Sequence, residues 1–192
     1  MKRGFFVRNY GKCWDFFKES RWHVVFAFGI FGLMFLVGFA YPVFFREEIF
    51  GFLAEMVGML EGKSVIELIW FIFLNNLKAG FFAIVSGVVV GVFPFVIGVV
   101  NGYLIGFVSR EVAMQEGIFV LWRLAPHGIF ELPAIILSIG IGLKIGTILF
   151  GKDVKKRLKY NFVEGLRFFV FVIFPLLLIA GIFEGLLISL IG

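Results

Sequence analysis

Apolar runs long enough to cross a bilayer take up most of this chain and leave few folds open to it. The stretches His23 to Phe45, Val65 to Val108, Ile118 to Phe150 and Phe162 to Ile191 carry few charges. Each meets or exceeds the roughly 20 residues that a helix needs to traverse a hydrocarbon core. Composition agrees: 61% of residues are hydrophobic and only 16% are charged, with a mean hydropathy of +1.04, where soluble domains average about 25% charged. The predicted fold class is therefore all-α, a polytopic transmembrane helix bundle forming a single membrane domain over residues 1–192. The polar stretches are too short for an extramembrane catalytic or nucleic-acid-binding domain.

Length and charge divide the chain further. Residues 1–22 interleave Lys2, Arg3, Arg8, Lys12, Lys18 and Arg21 with Phe5, Phe6, Trp14, Phe16 and Phe17, which suits a cytoplasmic arm on an anionic leaflet. The apolar run after it is of membrane length and ends at Tyr41-Pro42 without a small-residue cleavage pattern. It reads as a retained first span, 23–45, rather than a signal peptide. In 46–63, Ile49, Leu53, Met56, Val57 and Leu60 recur at helical spacing opposite Glu47, Glu48, Glu55 and Glu61, the pattern of an interfacial amphipathic helix.

The run from Val65 to Val108 holds 44 residues, about 66 Å as one helix and roughly twice a bilayer core. Proline ends or kinks helices, so a tight, partly buried turn near Phe93-Pro94 is expected, giving spans 65–93 and 94–109. The run 118–150 is again too long for one straight helix. Pro126, Gly128 and Pro133 predict a fourth span broken near 126–133. The segment 151–161, with Lys152, Lys155, Lys156, Arg157 and Lys159, reads as a second basic cytoplasmic loop, and 162–191 as the fifth span.

Both basic segments belong on the cytoplasmic side. That places the N-terminus in the cytoplasm of a multi-pass cell-membrane protein and the C-terminus outside. Four spans, with 118–150 re-entrant or 65–108 crossing once, is the competing count. The net charge of +5 thus reports membrane orientation and calls for no nucleic-acid partner. Gly87/Gly91, Gly98/Gly102/Gly106, Gly142/Gly146 and Gly181/Gly185 have small-xxx-small spacing, which predicts close helix contacts and leaves a homo-oligomer open. Cys13 is the single cysteine and excludes an internal disulfide.

One polar island interrupts the apolar sequence, Leu124-Ala125-Pro126-His127-Gly128-Ile129-Phe130-Glu131-Leu132-Pro133. In a helix Arg123, His127 and Glu131 would form one stripe, and an intramembrane ionisable group needs a partner or a purpose. Asn75, Asn76 and Asn101 lie in neighbouring spans as candidate partners. Lys78 is deep enough to neutralise Glu131 or line a cavity, and Lys144 is expected to snorkel or pair. The island reads either as a structural joint or as a proton or cation path with Glu131 titrating and His127 as its proton partner. Two ligands are too few for a closed metal site. The chain has no His-Glu-x-x-His or Gly-x-Ser-x-Gly element, and Ser86, Ser109, Ser138 and Ser189 have no apparent His base. An enzyme is disfavoured, and no catalytic residue, cofactor or metal is assigned.

Asn75-Asn76-Leu77, Asn101-Gly102 with Gly106, Pro126-His127-Gly128-Ile129-Phe130-Glu131-Leu132-Pro133-Ala134 and Gly142-Leu143-Lys144-Ile145-Gly146 resemble, in order and spacing, the stage II sporulation protein M family. The resemblance implies an integral membrane protein of about five spans that works with peptidoglycan-degrading partners during engulfment. From it follows the expectation of a membrane scaffold organising membrane or cell-envelope proteins in the lipid bilayer. The alternative that the polar island leaves open is a channel or transporter for a small ion or proton.

Overall fold

The computed structural model describes residues 4–124 and 127–191, and among them every regular element is helical. α1 spans Phe5–Ala40, α2 Arg46–Leu60, α3 Val65–Val85, α4 Val92–Glu116, α5 Leu132–Ile148, α6 Val154–Phe168 and α7 Phe174–Ile191. Five helical stretches are long and apolar enough to cross a membrane: Phe5–Ala40, Val65–Val88, Val92–Glu116, Gly128–Ile148 and Val154–Leu190. The chain is a multi-pass membrane protein.

Local chemistry sets several of the helix ends. Ser64 and Glu67 form a capping box at the start of α3, with Ser64 N–H donating to Glu67 Oε2 at 2.8 Å and Glu67 N–H donating to Ser64 Oγ at 3.4 Å. Two otherwise unpaired amides are satisfied reciprocally. The turn between α3 and α4 comes earlier than expected, at residues 86–91 and not at Phe93-Pro94. Gly91 adopts φ 70° there, a left-handed conformation that glycine accepts freely. Pro94 instead lies in the first turn of α4, where its missing N–H costs no helical bond. Spans 65–93 and 94–109 become α3 with a 3-10 turn to Val88, and α4.

The fourth apolar run is broken as expected, and the part of it that crosses is shorter than 118–150. Ile118–Leu124 is a 3-10 segment, His127–Glu131 a π turn, and only Gly128–Ile148 qualifies as a crossing. Pro133 falls in the first turn of α5, again a position without a donor to lose. Most of the arm 1–22 and of the span 23–45 falls in one helix, Phe5–Ala40, and most of the basic segment 151–161 is the start of α6. α6 and α7 are joined by a π turn at Phe169–Ile173. Pro175 lacks the N–H that would bond to Phe171, and a local π turn is a usual accommodation.

α5 is the most buried of the crossing segments. Ile136, Ile139 and Leu143 pack with Ala27, Phe31 and Ala83, while Ile141 and Ile145 pack with Ile84, Phe168 and Ile173. Glycines set the helix spacing. A Cβ on Gly102 would meet the Phe31 carbonyl oxygen at 2.5 Å, one on Gly140 would meet Val24 Cα at 2.8 Å, and one on Gly185 would meet the Ile69 amide nitrogen at 3.0 Å. Gly106 lies as tightly on Phe35, and Gly87 and Gly91 lie on Gly142 and Gly146. These small-xxx-small pairs are therefore used inside the monomer, where they let backbones meet directly. Their register makes α1 parallel to α4 and antiparallel to α5. Glu19 and Lys144 mark the basic end of the bundle, and the opposite end is the α2 end.

Replacing Gly106 with leucine should lower stability by about 1–3 kcal/mol or more, because the added atoms collide with backbone. Gly29→Ala, at a helical site with no neighbouring atom within 4 Å, should not lower it and should raise it by up to about 1 kcal/mol. Thermal unfolding in mild detergent reads both.

Candidate functional site

The ionisable groups of α5 lie at its two ends, and each has a partner on another helix. Glu131 immediately precedes the helix, only 7% exposed, where a carboxylate faces the positive end of the helix dipole. Asn76 Nδ2, from the middle of α3, donates to Glu131 Oε2, and it is one of the partners of Glu131 rather than its sole interaction. Phe130 stacks on Phe183 of α7, centroids 5.5 Å apart. This contact holds the π turn against α7.

Lys144 lies in the last turns of α5, where a cation suits the negative end of the dipole. Its Nζ is 3.3 Å from Glu19 Oε2 and 3.2 Å from Ser20 Oγ, and it lies 4.1 Å from the centroid of the Phe16 ring. Tyr160 Oη donates to the other Glu19 oxygen at 3.1 Å, and His23 Nε2 is 3.2 Å from Thr147 Oγ1. Glu19 thereby ties α1, α5 and α6 together. Sequence reasoning anticipated that Lys144 would snorkel or pair but did not find Glu19, Ser20, Thr147 or Tyr160. The available signal was the i, i+4 spacing of Glu19 and His23 on a continuous helix.

The remaining predicted positions are scattered. Asn101 Nδ2 donates to the Ile97 carbonyl at 2.8 Å, and Asn101 borders a cavity of about 700 Å³ that Met34, Ile49, Phe52 and Val99 also line. Asn101 is bound within its own helix and faces α2. Asn75 is exposed, and its Nδ2 makes a long 3.5 Å contact to Asn76 Oδ1. Lys78 is exposed on α3. Its position is two residues from Asn76, about 200° around a helix, so it faces away from Glu131 and does not neutralise it.

Gly128 is exposed, with no atom within 4 Å of where a Cβ would stand. Pro126 and the side chains of Arg123 and His127 lie outside the described residues. The backbone over 118–131 is not one α-helix, so the spacing that would align Arg123, His127 and Glu131 does not apply. Among the described residues no cluster of three or more His, Cys, Asp or Glu side chains is placed to hold a metal ion.

The model of the stage II sporulation protein M family matches residues 23–187. The chain belongs to this family. The matched region includes α2, the Asn76–Glu131 pair and Lys144, while Glu19 and the first half of α1 precede it. The chain is also similar to an uncharacterized protein of Methanocaldococcus jannaschii, 30% identical over 103 residues, which covers 50% of this chain and 46% of that protein. It thus spans about half the length of the curated relative it matches. No solved structure matches the chain.

The geometry assigns Asn76 and Lys78 different consequences. In a cycle combining Asn76→Leu with Glu131→Ala, the coupling free energy should be about 0.5–2 kcal/mol, the range of hydrogen bonds between membrane helices. Lys78→Met should leave the unfolding midpoint of the detergent-solubilised chain within error of the native value.

Proposed function

We propose that this member of the stage II sporulation protein M family is a non-enzymatic membrane scaffold that organises partner proteins of the cell envelope. The observation that carries the reading is α2. It is 15 residues long and has no buried residue. It is pinned mainly at its start, by Arg46 to Glu111 at 2.9 Å, Phe50 edge-on to Phe107 at 5.5 Å, and the Tyr103 hydroxyl in the turn before it. Phe52, Val57 and Met59 are about half exposed. An amphipathic helix held at one end and open along its length suits helix-in-groove recognition. The family resemblance, with its implied envelope partners, supports the same reading.

In this reading the basic end lies in the cytoplasm, following Lys155, Lys156, Arg157 and Lys159 on α6 and the basic first half of α1. The α2 end and the C-terminus then lie outside, where envelope partners are met. A second reading, an ion or proton path through Glu131, is favoured by the buried Asn76–Glu131 pair beside irregular backbone, features that transporter sites built from broken helices share.

Photo-crosslinking residues at Phe52, Val57 and Met59, introduced into the native membrane, test the scaffold. The expected result is the same discrete protein adducts from neighbouring α2 positions, abolished by Phe52→Asp with the bundle still folded, and none from Phe28 or Leu33 on the exposed face of α1. Lipid adducts alone at all five positions would count against it.

A further inference from the structure

α3 buries one face and leaves a polar strip on another. Asn76 turns into the bundle toward Glu131, while Asn75 and Lys78 are exposed. They stand ten and thirteen residues after Val65 in a helix that runs to Val85, about 15 and 20 Å from its start at 1.5 Å per residue. In a hydrocarbon core of roughly 30 Å, Asn75 stands at the middle and Lys78 about 5 Å beyond it. Leu74, Phe81 and Phe82 are also exposed, so the strip is otherwise made of side chains suited to lipid or to another helix. Among the described residues Lys78 makes no hydrogen bond or ion pair, and the hydrogen bond of Asn75 to Asn76 is long at 3.5 Å.

Snorkelling does not readily relieve Lys78. The nearer end of α3, Val85, is seven residues away, about 10 Å, but Cα–Cβ bonds in a helix tilt toward its N-terminus. The lysine stem therefore starts in the direction of the far end, about 20 Å away. An ammonium at mid-depth without a partner is costly, and such groups pair with one another or line a path.

A symmetric pairing of two copies through this face does not supply the missing charge. Parallel copies meeting through this face would set Lys78 against Lys78, and Glu131 is on the other side of α3. The complement of Asn75 and Lys78 is a helix with a carboxylate at the same depth and a polar or small neighbour.

We infer that the exposed Asn75/Lys78 strip of α3 is the docking site for a transmembrane helix of another protein that carries an acidic side chain at mid-membrane depth. The proposal deepens the scaffold reading by giving the chemistry of one partner. It concerns a different surface from α2, so each can fail without the other.

The test uses the full chain in phosphatidylcholine vesicles with synthetic apolar helices of about 20 residues that bear a photo-crosslinking group and a central Glu, Gln or Leu. The Glu helix should capture the native chain on the order of tenfold better than the Leu helix, as one good intramembrane polar contact would give. Lys78→Met should reduce capture by the Glu helix to the Leu level, and Lys78→Arg should retain it. Equal capture of the native chain by the Glu and Leu helices would overturn the inference without requiring any variant to fold. A Glu preference that survives Lys78→Met would also overturn it. So would self-association of the native chain that Lys78→Met abolishes, which would make a second copy the occupant. If the peptides show no preference while the α2 adducts persist, the Lys78 inference falls and the scaffold reading stands.

Discussion

In a bilayer, apolar surface gains little by leaving lipid for another helix, so a bundle depends on how closely its helices approach and on the polar groups they share. This chain relies on backbone contact around α5. Gly140, Gly142 and Gly146 take α1, α3 and the α3–α4 turn against the same short helix, and Gly102 and Gly106 bring α4 onto α1. Larger side chains there would hold the helices apart and loosen the contacts of Ile139, Ile141 and Ile145 together. The glycine pattern that leaves a homo-oligomer open in the sequence is consumed within one chain.

Given that frame, the polar groups divide by what they face. Glu131 and Lys144 sit at opposite ends of α5 with the polarity its dipole favours, and each is tied to a neighbouring helix. α3 divides likewise about its own axis, with Asn76 spent inside the bundle and Asn75 and Lys78 presented outside it. The exposed groups are what distinguish this bundle from one that only fills a membrane. α2 offers an amphipathic surface, and Lys78 offers a charge that has no partner among the described residues.

Much of the architecture was legible because it rests on length and periodicity. The all-α fold, the five crossings and the family follow from the apolar runs and from the order of a few polar motifs. The expected α2 corresponds to Arg46–Leu60, with Ile49, Leu53, Met56 and Leu60 half-buried. Boundaries were less legible where proline was the guide. Pro94 sits in the first turn of α4, where proline is harmless, so that turn lies upstream of it, whereas the break expected near 126–133 is met by the π turn at His127–Glu131. Pro175 causes an irregularity that its apolar surroundings concealed. Side-chain facing was the least legible, because it depends on rotation about a helix axis. Neighbouring positions read as one polar group were separated by two residues of helix, Asn76 inward and Lys78 outward. Glu19 was hidden for a different reason: it lies 125 residues from Lys144 in sequence, in a segment that reads as a separate arm but continues the first crossing helix.

The most direct test of the account is ion and proton flux through the native chain reconstituted in sealed liposomes, compared with folded Glu131→Gln. If the buried pair is a joint that holds α3 to α5 in a scaffold, the native chain passes none of a panel of common ions or protons above empty liposomes. The variant then differs from it only in stability. Flux through the native chain that the folded variant loses, or whose pH dependence the variant changes, would contradict the account and make Glu131 part of a permeation path.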